Sequence, residues 1–218
     1  HYKHPERIVV TGTPVRGDFF DMSHDEAKAS LGIPAEQPLV VSFWGSLGAS
    51  TMNRQMLDFF EKERSDGYPF RHIHAAGDRS WTWMQPELEQ RGLTEDPHLD
   101  VRPYIHNMAV VMRAADLVIC RAGASTISEI TALATPAILV PSPYVTNNHQ
   151  EKNARVLENA GGAAVLLEKD CSGQALFQAA CGILHDGARR AFMERAMSAL
   201  GIRDATERIY QTVLEICQ

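Results

Sequence analysis

Six short apolar runs, at 39–43, 70–75, 99–104, 116–120, 137–140 and 163–167, recur through this chain and alternate with segments of helical periodicity. The runs are too short for helices. Those rich in Leu, Val and Ile, such as LVVSF and DLVIC, suit strands covered on both faces. Helices are expected before them at 24–31, between them at 50–64, 80–91, 108–115, 124–134 and 149–160, and after them at about 172–185, 188–200 and 204–216. Strict alternation of this kind predicts right-handed βαβ units. The expected fold class is therefore α/β, a parallel sheet with helices on both faces.

Local signals support several elements. Ser23 and Glu26 have the spacing of a capping box, and Leu31-Gly32-Ile33-Pro34 supplies a glycine stop followed by proline. Met52, Met56, Leu57, Phe59 and Phe60 mark the buried face of the second helix, and Trp81 and Trp83 are expected to cover the core. Residues 1–17 hold one strand-like run, Ile8–Val10, and read as the end of something upstream. His72 and His74 make one strand partly polar; with His98 they are expected to be packing or surface residues, because no paired carboxylate motif accompanies them.

In open parallel sheets ligands bind outside the carboxyl ends of the strands. That rule collects the loops at 44–49, 77–80, 104–107, 121–125 and 141–149 on one rim. The stretch from Cys120 to Asn153, CRAGASTISEITALATPAILVPSPYVTNNHQEKN, supplies two of these loops, each opening a helix. Small residues at a strand-to-helix turn let backbone N–H groups approach an anion at the positive end of the helix dipole, which points to phosphate or diphosphate. Glu129, three residues after Thr126, reads either as a capping-box partner or as a carboxylate accepting ribose hydroxyls. Asn147, Asn148, His149 and Gln150 either cap the next helix or face a sugar. The loop WGSLGAS is not a G-x-G-x-x-G fingerprint, and no Lys-Ser/Thr pair makes it a P-loop.

Charge and cysteine usage narrow the function classes. A net charge of -6 over 218 residues argues against nucleic acid as the main partner. The four cysteines are dispersed, without C-x-x-C or metal-ligand spacing, so no metal, cofactor or disulfide framework is expected and a reducing cytosolic compartment fits. No apolar run reaches the roughly 18 residues that span a bilayer. The chain begins HYKHPERIVV without an initiator Met and is expected to be a piece of a longer protein.

CRAGASTISEI, ATPAILVPSPY and NNHQEKNA, together with VTGTPVR, GSLGA and PYIHNMAVVMRAADLVIC in the same order, closely resemble the C-terminal half of the MurG family. These are bacterial N-acetylglucosaminyltransferases of glycosyltransferase family 28 that convert undecaprenyl-diphosphate-MurNAc-pentapeptide (lipid I) to lipid II. The resemblance covers essentially the whole chain. It implies one Rossmann-like half of a GT-B enzyme: residues 1–37 an interdomain linker and tail of the N-terminal domain, 38–203 the donor domain, and 204–218 a helix packing back on the N-terminal domain.

By the same resemblance, Ile105 contacts uracil through its backbone, Glu129 the ribose, and Ser46, Ala124, Ser125 and Thr126 the diphosphate region. His149, Gln150 and Asn153 face N-acetylglucosamine, and Arg16 lies close to the nucleotide. Trp44 and Leu47 stand where the family has Gly and Gln, and His149 replaces the first of two glutamines. The implied reaction is inverting transfer to the acceptor C4 hydroxyl, without metal or cofactor. The base, the lipid I acceptor site and the contact with the cytoplasmic side of the bacterial membrane belong to the N-terminal domain, so no catalytic residue is assigned here. Two other readings are a non-catalytic UDP-sugar-binding subunit that recruits an acceptor-binding chain, and a UDP-GlcNAc 2-epimerase on the same fold.

Overall fold

The computed structural model describes residues 4–45 and 48–217. After an N-terminal segment come α1 (His24–Ser30), β1 (Leu39–Phe43), α2 (Ser50–Ser65), β2 (Arg71–Ala75), α3 (Asp78–Gln90), β3 (Leu99–Arg102) and α4 (Met108–Ala114). Then follow β4 (Leu117–Cys120), α5 (Ala124–Ala132), β5 (Ala137–Leu139), α6 (His149–Asn159), β6 (Ala163–Val165), α7 (Gly173–Leu184), α8 (Gly187–Leu200) and α9 (Ala205–Cys217). All six strands are parallel, in the order β3-β2-β1-β4-β5-β6. This is the doubly wound order whose direction reverses between β1 and β4, which is where such sheets open a ligand crevice.

The side-chain period of two divides the core into layers. Along β1, Leu39, Val41 and Phe43 enter a cluster with Ala27 of α1, Met112 of α4, Ile130 of α5 and Leu157 of α6. Val40 points the other way, among Met56 and Phe60 of α2, Leu88 of α3 and Phe177 of α7. Because both faces are covered, every residue of β1 is buried. Helices α2 and α7 approach closely at Gly173, where a Cβ would lie 2.5 Å from the Gln55 carbonyl oxygen.

The expected elements are present, with strand ends one or two residues shorter. The capping box at α1 is formed: Ser23 N–H donates to Glu26 at 2.7 Å, and Glu26 N–H to Ser23 Oγ at 3.3 Å. Helix α1 packs against α4, and Lys28 pairs with Asp116 at 2.8 Å beneath the sheet. Ile8–Val10 is not a strand; it pairs with no described strand, and all three side chains are exposed. Trp81 and Trp83 are half-buried at the margin of the core, with the Arg54 guanidinium over the Trp83 ring. Trp44, at the start of the loop expected at 44–49, is buried in the core.

Candidate functional site

The rim at the carboxyl ends of the strands is built from helix beginnings that lack side-chain caps. Each of the five helices that follow β1 to β5, preceded by Ala49, Gly77, Asn107, Gly123 and Asn148, starts without a side-chain hydrogen bond to its first turn among the described residues. By contrast α1, α7 and α8 are capped by Ser23, Ser172 and Asp186. The first N–H groups of a helix need a partner from outside it, so the rim presents donors aimed at a ligand.

At α5 the capping-box reading of Glu129 does not hold. Gly123 is the N-cap and Ala124 the first helical residue, which puts Glu129 more than a turn into the helix, beyond the reach of a capping box. Its half-buried carboxylate makes no hydrogen bond or ion pair among the described residues. Burial raises its pKa, opposed by the positive charge of Arg16. Ala124 and Ser125 are exposed at the opening of the helix and Thr126 is half-buried beside them. Ser46 lies outside the described residues.

Arg16 comes from the N-terminal segment, where it pairs with Asp18 at 3.1 Å and lies over the Phe19 ring. A hollow of about 210 Å³ separates it from the His106–Asn107 turn after β3. Next to that turn Ile105 buries its side chain, 1% exposed, while neither its N–H nor its C=O is hydrogen-bonded among the described residues. Arg16, Glu129 and the Ile105 backbone thus border one region of the rim.

In the second loop the capping reading does not hold. Asn147 and Asn148 both adopt left-handed backbone conformations, with φ of 56° and 51°. Asn148 occupies the N-cap position, yet its side chain donates to Glu151 at 2.6 Å instead of accepting a helix N–H. Gln150 accepts the Ser142 N–H at 2.9 Å, and Asn153 donates to the Ala122 carbonyl at 3.3 Å. His149 is exposed, its Nδ1 3.0 Å from the Thr146 carbonyl oxygen. Gln150 and Asn153 therefore fasten α6 to the two loops that follow β5 and β4.

Arg121 is a rim residue to which sequence reasoning gave no role. Its guanidinium donates to the Val140 carbonyl at 3.0 Å, lies over the Trp44 ring and meets Glu168 at 2.6 Å in an ionic contact. The cation is consequently committed to holding three rim segments together. Its only signal in the sequence is that it is the one charged residue in a loop of small ones. A hollow of about 560 Å³ adjoins this bracket, lined by Thr51, Ser142, Tyr144, Asn148, Glu168 and Lys169 among others. Neither Ser125 nor Glu129 lines it. Among the described residues no group of three or more His, Cys, Asp or Glu side chains could hold a metal ion.

Residues 39–209 match the family model described as glycosyltransferase family 28 C-terminal domain. The chain belongs to this family. A relative from Acetivibrio thermocellus, named UDP-N-acetylglucosamine--N-acetylmuramyl-(pentapeptide) pyrophosphoryl-undecaprenol N-acetylglucosamine transferase, is 41% identical over 216 residues, 99% of this chain and 58% of that protein. A relative of the same name from Desulforudis audaxviator is 39% identical, over 98% of this chain and 57% of its own length. The chain thus spans somewhat more than half of these proteins. Among solved structures, MurG of Acinetobacter baumannii superposes with a TM-score of 0.71 at 23% identity, covering 97% of this chain and 58% of that one. The fold is that of a Rossmann-like half of a GT-B glycosyltransferase, and the uncapped rim of this family 28 domain lies on the crevice side of it.

Proposed function

We propose that this chain binds UDP-N-acetylglucosamine and serves as the donor half of an inverting N-acetylglucosaminyltransferase that makes lipid II from lipid I. The observation that carries this reading is the opening of α5 at the sheet's reversal point: a helix start without a side-chain cap, beside a half-buried carboxylate that has no hydrogen-bond or ion-pair partner among the described residues. Diphosphate fits the first, and a pair of ribose hydroxyls fits the second. The names of the relatives favour transfer over both epimerisation and a purely binding role.

In this reading Ala124, Ser125 and Thr126, together with Ser46, receive the diphosphate. The Ile105 backbone pairs with uracil, and Glu129 accepts from the ribose with Arg16 nearby. The N-acetylglucosamine lies towards His149, Gln150 and Asn153. As the acceptor's C4 hydroxyl attacks the anomeric carbon, the bond to UDP breaks and negative charge grows on the diphosphate. Preorganised N–H donors stabilise that charge because they need no reorganisation as it develops. The attacking hydroxyl's proton goes to a base outside this chain.

No helix among the described residues is long and apolar enough to cross a membrane. The acceptor site and peripheral attachment to the cytoplasmic membrane surface are assigned to a separate acceptor domain. Helix α9 leaves Tyr210, Val213, Leu214 and Ile216 exposed, an apolar face suited to pack on that domain, with residues 1–37 leading from it. Titration calorimetry tests the core of the proposal: the chain binds UDP-GlcNAc and UDP but transfers no sugar alone. A folded chain with no affinity for either nucleotide refutes it.

A further inference from the structure

We propose that Glu63, His72, Ser42, His74 and Asn53 form a hydrogen-bond chain in which every donor points towards the rim, and that this chain positions the Ala76 carbonyl against the glycine loop at Gly48. The inference rests on the donor-site reading only for its functional consequence. The five side chains lie between α2 and the sheet, each at most 1% exposed. Glu63 Oε1 is 2.8 Å from His72 Nδ1, and His72 Nε2 is 2.7 Å from Ser42 Oγ. Ser42 Oγ is 2.6 Å from His74 Nδ1, His74 Nε2 is 3.1 Å from Asn53 Oδ1, and Asn53 Nδ2 is 2.7 Å from the Ala76 carbonyl oxygen.

The direction follows from the rim end. A backbone carbonyl only accepts, so the Asn53 amide must turn its NH2 to Ala76 and its oxygen to His74. His74 therefore donates from Nε2. Burial drives the pKa of this ring well below its ordinary value, so it is neutral and its Nδ1 accepts. The single hydroxyl hydrogen of Ser42 is spent on that nitrogen, which leaves Ser42 Oγ to accept from His72 Nε2. His72 is also held neutral, its pKa lowered to about 3, and its Nδ1 must then accept from Glu63. Glu63 donates as the protonated acid. Two observations agree: burial raises its pKa well above the carboxylate range, and its second oxygen is buried without a hydrogen-bond partner, which a charged carboxylate would not tolerate. Asp96, Tyr68 and Cys181 are the titratable groups near Glu63; the negative charge of Asp96 further disfavours its ionisation, and burial raises the pKa of the other two.

The chain ends where the rim begins. Gly48 has φ of +70°, and a Cβ there would lie 2.2 Å from the Ala76 oxygen, so the glycine loop rests on the very carbonyl that Asn53 holds. Asn53 and Ser42 are in this sense positioning residues for the loop across the crevice from α5.

Nitrogen-15 NMR of the histidine rings in the full chain tests the ordering. His72 and His74, assigned by single substitution, should both be Nε2–H tautomers and should not titrate between about pH 5 and pH 8.5. An Nδ1–H tautomer or a titration in that window overturns it. For the positioning role, Asn53→Asp replaces the donor to Ala76 with an acceptor, and Ser42→Ala cuts the chain between the rings. Either folded variant should shift the Gly48 and Gly77 amide resonances and weaken UDP-GlcNAc binding roughly fivefold or more. Glu63→Gln, whose amide can still donate to His72, should restore wild-type resonances and affinity where Glu63→Leu does not. Unmoved glycine amides in both rim-side variants refute the positioning role. If the wild type binds no UDP-GlcNAc, the donor-site reading fails, while the histidine and glycine resonances still decide the chain.

Discussion

The side-chain oxygen of Gln150 accepts the backbone N–H of Ser142 at 2.9 Å, tying the first turn of α6 to the loop after β5. Gln150→Leu removes the acceptor and leaves the Ser142 N–H for water, so stability should fall by about 1 kcal/mol in urea unfolding. Affinity for UDP-GlcNAc should fall more than affinity for UDP, because the proposed sugar subsite includes Gln150. Equal losses for the two ligands would remove Gln150 from the sugar subsite.

Glu129 should trade stability for binding. Its raised pKa means that between the ordinary carboxylate range and the raised value the folded state binds more protons than the unfolded one, so stability falls as pH rises through that window. Glu129→Gln removes this penalty and should melt higher than wild type at neutral pH. Glu129→Ala should weaken UDP binding by roughly 1–3 kcal/mol in calorimetry.

The Arg121 bracket is a stability element. Both partners are nearly buried, with side chains 12% and 10% exposed, so Arg121→Met strands Glu168 in a poorly solvated place. A loss of about 3 kcal/mol in urea unfolding is expected. Glu168→Gln, which keeps an acceptor for the guanidinium, should lose less.

Two glycines at helix starts should respond oppositely to alanine. At Gly173 the new Cβ would sit 2.5 to 2.7 Å from atoms of Gln55, Asp58 and Phe59 in α2, an overpacking expected to cost about 1–3 kcal/mol. At Gly187 it meets nothing within 4 Å, so Gly187→Ala should be neutral or raise the midpoint slightly. Denaturation midpoints of the pair measure how tightly α7 is seated on α2.

The sheet was readable because runs such as LVVSF and DLVIC, buried on both faces, leave little choice but parallel strands between helices. The rim loops followed from the same alternation. The interior of the site was less legible, since hydrogen-bond partners depend on backbone turns that composition does not reveal. Asn148 sits at the cap position but turns its side chain to Glu151, and Gln150 and Asn153 bind loop backbone. His72 and His74 looked like ordinary packing residues because their partners, Ser42, Asn53 and Glu63, lie on other elements and share no motif with them.

Helices α2 to α6 begin at the carboxyl ends of the strands with no described side chain closing them. Their hydrogen bonding is completed by whatever stands at the rim, water in one state and an anion in another. A bound anion therefore acts as an exchangeable cap, and occupancy and thermal stability should rise together by mass action. In the proposed reaction the departing UDP would take this cap with it, and the next donor molecule would restore it.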